Sequence, residues 1–263
     1  MDPIDLLEQL CVLNLDNGRY FTEDTRLRAI RQCLQDSTYS QCFRGSLFHL
    51  YSQAPLEELP QPLLLVSSHV DCEQHITRCF SEQDGDLLHG TYDNAITNTA
   101  AVALMKSTAL PPQVVFAFTG DEEENSQGAI EIASFLKSHG IQFRVVVLDV
   151  TDQAWELADF TVENNFWKDR WGKRIASALT QLPYTWRFVP EAPDAIPPYI
   201  PDAFCIHKEA EPDESWDYDE LGAECFSFCL PVKGEMHSNA GVYARQSSFL
   251  HYIKALGALI ERI

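Results

Sequence analysis

Basic residues are scarce in this chain of 263 residues: 19 lysines and arginines stand against 39 aspartates and glutamates, a net charge of −20. A surface of that sign repels nucleic acid and anionic lipid, so neither is expected as a partner. No apolar run approaches the roughly 20 residues that a membrane-spanning helix needs. The N-terminal Met1-Asp2-Pro3-Ile4-Asp5 lacks both a basic region and a long apolar stretch. No secretory leader is therefore expected, and the cytoplasm is the expected compartment. Internal repeats, low-complexity tracts and long linkers are also missing, so one domain over 1–263 is the economical division.

What the chain does have is an ordinary globular composition, 45% hydrophobic and 22% charged. That suffices for one large core. Its eight cysteines, at 11, 33, 42, 72, 79, 205, 225 and 229, are expected as mostly buried thiols in a reducing compartment. Cys225 and Cys229 are separated by three residues in a strand-like run, a spacing poor for zinc and good for a core.

Leucines at 6, 7, 10 and 13 predict a short amphipathic helix over 4–14. Thr22 is a candidate cap for a helix over 23–35. Strands are expected at 45–51, which contains a packed His49, and at Leu63–Val66. Residues 72–92 read as irregular or hairpin-like. A small-residue helix follows over 95–104, then strand Val114–Phe118, helix 130–139 and strand Phe143–Leu148. This alternation predicts βαβ units: an α/β fold with a mostly parallel, doubly wound sheet and helices on both faces. Residues 167–181 read as helix. Residues 191–224 form an acidic, proline-rich stretch, with eleven acids and one lysine. A strand over 223–232 and a helix from about 240 to the end complete the chain. On that last helix Phe249, Ile253, Leu256, Ile260 and Ile263 share a face.

The chain is organised around Thr119-Gly120-Asp121-Glu122-Glu123-Glu124, read as an acid loop past a buried strand. Ligands of open α/β sheets bind at that edge. Four adjacent acids repel unless solvated or neutralised by a cation. Five predicted strand ends carry metal-type ligands: His69, Asp93, Glu122-Glu123, Asp149 and His237. Taken singly, each has a plainer reading: Asp93 and Asp149 as caps, Asp71 as a loop acid, either histidine as packed or surface. Imidazole with carboxylate suits zinc, cobalt or manganese. Two histidines and three carboxylates can hold two ions about 3.5–4 Å apart if one carboxylate bridges.

The order His-x-Asp, Asp-Asn, Glu-Glu, Asp, His resembles the co-catalytic di-zinc exopeptidases, which include bacterial leucyl aminopeptidases and their glutaminyl cyclase relatives. Glu122-Glu123-Glu124-Asn125-Ser126-Gln127-Gly128-Ala129 is similar to that family's Glu-Glu-x-Gly-x-x-Gly-Ala, with Asn125 where the first glycine usually stands. Leu148-Asp149-Val150-Thr151 also looks like the family's strand end. The likeness covers about 62–151 and 224–263. It implies a zinc-peptidase-like fold. His69 and Asp149 would bind one zinc, Glu123 and His237 a second, and Asp93 would bridge them. Glu122 would take the proton from the bridging water and pass it to the leaving amine. Asp71 would orient His69. A cis bond at Asp93–Asn94 is also implied. The gaps of 24 residues from His69 to Asp93 and 88 from Asp149 to His237 leave no room for a lid domain.

The expected activity is hydrolysis of an amide near a peptide terminus, with a peptide or small amide as substrate. The acid loop and the 191–224 segment favour a free ammonium group, hence an aminopeptidase. Arg245 is a candidate carboxylate binder, though as a solvated helix residue it needs no such role. The rivals are a single-zinc deacylase or glutaminyl cyclase-like enzyme, and a binding protein that kept the fold. Of the other histidines, His89 and His207 lie in irregular segments; the rest read as structural.

Overall fold

The apolar runs of the sequence become strands of one sheet. In the computed structural model, which describes residues 2–13, 25–107, 109–164, 169–190, 206 and 208–263, the strands in chain order are β1 (Ser40–Arg44), β2 (Phe48–Ser52), β3 (Leu63–His69), β4 (Ser81–Asp84), β5 (Leu87–Gly90), β6 (Val114–Thr119), β7 (Phe143–Thr151), β8 (Phe160–Glu163), β9 (Trp186–Val189), β10 (Glu224–Gly234) and β11 (Val242–Arg245). The helices are α1 (Pro3–Leu10), α2 (Thr25–Cys33), α3 (Ala95–Ser107), α4 (Glu122–Asn125), α5 (Gln127–Ser138), α6 (Asp169–Leu179), α7 (Glu214–Glu220) and α8 (Gln246–Ile260).

The sheet order is β1-β2-β6-β3-β7-β10-β11-β5-β4, with β8 and β9 branching from β10. The four central strands, β6, β3, β7 and β10, are parallel. Antiparallel pairs are added on both flanks: β1 with β2 and β2 with β6 on one side, β10 with β11, β11 with β5 and β5 with β4 on the other.

Alternation along each central strand divides the core. Leu64 and Val66 of β3, Val114, Phe116 and Phe118 of β6, and Val146 and Leu148 of β7 pack on one face with α1, α2, α3, α6 and α8. Leu63, Leu65, Val115, Ala117, Val145 and Val147 pack on the other with α5 and α7. Each valine, leucine or phenylalanine among them, fully buried, contributes about 1.5–3 kcal/mol of hydrophobic stabilisation. Helices thus cover both faces, as the strand–helix rhythm predicts.

The differences from the sequence reading have local causes. β1 is a polar edge strand with three of its five residues exposed, so it shows little apolar signal. β11 is a four-residue strand that leads directly into α8, and the helical periodicity hid it. The acid stretch is a short helix, not a loop: Asp121 at φ 65° and Ser126 at φ 50° turn the chain into and out of α4. β3 and β7 run farther than their apolar cores, so His69 ends β3 and Asp149 sits within β7. Thr22, Cys205, His207 and the proline-rich stretch of 191–205 lie outside the described residues. The described cysteines are all free, with Cys225 and Cys229 buried in β10. Among the described residues no helix is long and apolar enough to cross a membrane.

Gly128 fixes how α5 docks behind the acid helix. A Cβ there would meet the Gly120 carbonyl oxygen at 2.7 Å and that of Leu47 at 2.7 Å. Both are backbone atoms and have little freedom to retreat. Gly128→Ala is therefore expected to lower unfolding stability by about 1–3 kcal/mol, read from chemical denaturation; an unchanged midpoint would contradict this packing.

Candidate metal centre

The parallel strands deliver their C-terminal ends to one edge, and the expected residues meet there. β3 ends in His69, β6 leads into Glu122 and Glu123, and β7 carries Asp149. Asp93 precedes α3. His237 lies between β10, whose last residues leave the central sheet, and β11.

Asp93 sits between the two imidazoles. Its Oδ1 is 3.2 Å from His69 Nε2 and its Oδ2 is 3.3 Å from His237 Nε2. His69 Nε2 also faces Glu122 Oε2 at 3.7 Å and Asp149 Oδ1 at 3.8 Å. His237 Nε2 lies 3.3 Å from Glu123 Oε2. His69, Asp93 and Asp149 form one compact donor group, His69, Glu122 and Glu123 another, and Glu73, Glu123 and His237 a third.

Asp71 lies behind the cluster. Its Oδ1 faces His69 Nδ1 at 3.4 Å, and its Oδ2 accepts a hydrogen bond from the Glu123 backbone N–H at 3.3 Å. One carboxylate thus touches both the β3 end and the acid helix. The start of α3 secures the rest. Asn94 Nδ2 donates to the Leu148 carbonyl at 2.8 Å, and Asn98 Nδ2 donates to the His69 carbonyl at 2.6 Å. Ser68 and Thr97 hydroxyls join the same network. The Asp93–Asn94 peptide bond is cis, as expected.

Crowding shapes the electrostatics. Burial pushes the Glu123 carboxyl up to about 8, with Asp93 adding to the effect, and pushes Asp149 up to about 6. Burial raises Glu122 well above the usual carboxylate range. Asp93 goes the other way: burial opposes its charge, but hydrogen bonds with His237 and His69 hold its carboxyl below the ordinary value. His237 is raised to about 9, chiefly by its hydrogen bond with Asp93. Burial disfavours a charge on His69, yet Glu122, Asp149, Asp71 and Asp93 around it outweigh that.

The residues present fit a cation. Glu123 Oε1 is buried without a hydrogen-bond partner. The donors are imidazole nitrogen and carboxylate oxygen, the types that zinc, cobalt and manganese accept.

The cluster forms one wall of a cleft of about 250 Å³. Glu163, Glu211 and Asp213 line it as well, with Met236, Cys229 and Val150, and among the described residues no lysine or arginine takes part. Glu163 escaped sequence reasoning because the short strand that it ends, β8, has no predicted counterpart; Asp213 belongs to the acidic 191–224 stretch, in which no motif marks one acid from the others. Glu73 escaped because it follows His69 within an irregular segment. Arg245 is not in the cleft lining; it pairs with Glu156 at 3.6 Å and lies over Trp155. His89 is structural, stacked on Tyr243 and hydrogen-bonded to the Ala240 carbonyl.

No protein-family model matches the chain, and no curated protein matches it by sequence. Solved structures do match its fold. A TET aminopeptidase from a marine sediment Thaumarchaeota archaeon superimposes with a TM-score of 0.73 at 10% identity, over 99% of this chain and 97% of that one. The Pyrococcus horikoshii TET1 peptidase, described as assembling into a tetrahedron or a large octahedral shell, gives 0.70 at 11% identity over the whole of both chains. BSAP, a zinc aminopeptidase from Bacillus subtilis, gives 0.52 at 13% identity over 81% of this chain and 48% of its own. At such identities the likeness is one of fold.

The imidazole of His69 provides a direct check on this geometry. In protein stripped of metal by a chelator, its NMR titration midpoint is expected above the ordinary histidine value of about 6.5. A midpoint at or below that value would mean the four carboxylates do not surround it.

Proposed function

We propose that this chain is a co-catalytic two-metal exopeptidase, most simply an aminopeptidase, with residues 1–263 as a single catalytic domain. One observation carries the reading: the two oxygens of Asp93 face different imidazoles, each of which has further carboxylates beside it. A carboxylate so placed is suited to bridge two ions. In this reading His69 and Asp149 hold one zinc, Glu123 and His237 hold the other, and Asp93 serves both; cobalt or manganese suits the same donors. Bound there, the ions supply Lewis acidity toward the amide carbonyl and toward the attacking water.

The chain's own groups do the rest. Glu122 is not needed as a ligand and sits half-buried beside His69, with 15% of its side chain exposed. Burial gives it a strong affinity for a proton. It takes a proton from water as the oxygen adds to the carbonyl carbon, then delivers that proton to the amine nitrogen as the C–N bond breaks. Asp71 holds the ring of His69 and the backbone of Glu123 in register. Glu163, Glu211 and Asp213 give the cleft a negative wall that favours the free ammonium of a peptide N-terminus. The TET peptidases and BSAP, which bear aminopeptidase or peptidase names, share this fold, and that supports the choice of reaction.

Three outcomes test the proposal. Glu122→Gln should keep both metals and lose roughly 10²- to 10⁴-fold in turnover of aminoacyl amides; unchanged turnover removes Glu122 from the proton-transfer role. Elemental analysis should find two ions per wild-type chain and one in His237→Ala. A single ion in the wild type favours a deacylase or glutaminyl cyclase-like enzyme, and metal-loaded protein inert toward a broad amide panel favours a binding protein. Zinc affinity should also depend on pH. Glu123, raised to about 8, and His237, raised to about 9, must release protons to bind metal. Affinity therefore rises from pH 6 toward 9, and a flat profile by calorimetry would contradict the ligand set.

A further inference from the structure

We propose that Glu73 is an additional ligand of the cation held by Glu123 and His237, beyond the donors that the two-metal reading requires. The inference rests on that reading and concerns which side chains complete its second site.

Glu73, Glu123 and His237 each offer a donor atom, and the three atoms lie within 4.8 Å of one another. Two of the three belong to the set already assigned to one ion. Only 5% of the Glu123 side chain is exposed, and its Oε1 is buried without a hydrogen-bond partner. A third carboxylate brought to such a place is repelled unless a cation joins them. No lysine or arginine pairs with Glu73 among the described residues. Its basic neighbour is His75, whose Nδ1 is 3.9 Å from Glu73 Oε2.

Hydrogen bonds of the residues after Glu73 hold its segment in place from several directions. Gln74 Nε2 donates to Glu124 Oε1 at 2.8 Å, tying the segment to the residue next to Glu123. His75 Nε2 donates to the backbone carbonyl of His237 at 2.8 Å. Asn239 accepts from the Thr77 N–H at 2.8 Å and donates to the His75 carbonyl at 3.1 Å. The segment that carries Glu73 is therefore clamped to both other donors. Such clamping places a ligand before the metal arrives and lowers the entropy lost on binding. With Asp93, Glu123, His237 and Glu73, this ion has four protein donors. The other has the sequence-predicted three, His69, Asp149 and Asp93.

The test titrates metal-free protein with zinc against a chromophoric chelator, comparing wild type, Glu73→Gln and Glu73→Asp, with folding checked by circular dichroism. The wild type should bind two ions. Glu73→Gln should weaken one of them by about tenfold or more, the scale on which neighbouring groups tune metal sites, and leave the other unchanged. Glu73→Asp should fall between. With cobalt in place of zinc, the visible spectrum of the weakened ion should change in Glu73→Gln, which a purely structural role would not produce. Two ions with unaltered affinities and spectra in Glu73→Gln overturn this assignment and leave the two-metal reading standing. A wild type that binds no zinc overturns both.

Discussion

Repulsion among carboxylates is the constraint that the rest of this structure accommodates. Asp93, Glu122, Glu123 and Asp149 converge at one sheet edge, and Glu163, Glu211 and Asp213 line the same cleft. At about 4 kcal/mol for a close pair in a protein-like dielectric, a few such pairs rival the 5–15 kcal/mol by which domains are stable. The chain meets this by placing two imidazoles against Asp93, while burial first, and Asp93 second, raises the proton affinity of Glu123 and Asp149. Divalent cations are the other way to satisfy the same charges.

The fold imposes the crowding by register and by close approach. Parallel pairing of β3 with β6 and β7 aligns their C-terminal ends. Hydrogen bonds from Asn94 and Asn98 link the start of α3 to β7 and β3, so Asp93 cannot drift from His69. The absence of a side chain at Gly128 lets α5 sit against Gly120 and fixes where the acid helix begins. β10 continues past the central sheet into the antiparallel flap with β11, and the turn between them carries His237 over the edge. A core of interleaved apolar side chains thus determines the spacing of charged groups at its rim.

Legibility in the sequence followed physical signal. Buried parallel strands are continuous apolar runs, and β3, β6 and β7 stood out for that reason. Their ends did not, because Ser67, Ser68 and His69 are polar yet still pair in the sheet. Edge strand β1 carries too few apolar residues to distinguish it from a loop, and four-residue β11 runs straight into α8, whose helical periodicity masks it. At the site, His69, Asp93, Glu122, Glu123, Asp149 and His237 could be named because each stands near an element boundary with a matching motif, and the structure does bring them together. Glu73, Glu163 and Asp213 have no such local mark. They reach the cleft through tertiary folding alone: Glu73 through ties to Glu124 and to the segment of His237, Asp213 as the residue whose side chain caps α7.

The most direct measurement of the central claim is an anomalous-difference map at the zinc absorption edge from crystals grown with zinc. The account predicts two peaks on either side of the Asp93 carboxylate, one next to His69 and Asp149 and the other next to Glu123 and His237. A map with no peak at Asp93, or with zinc bound only elsewhere on the chain, would contradict it.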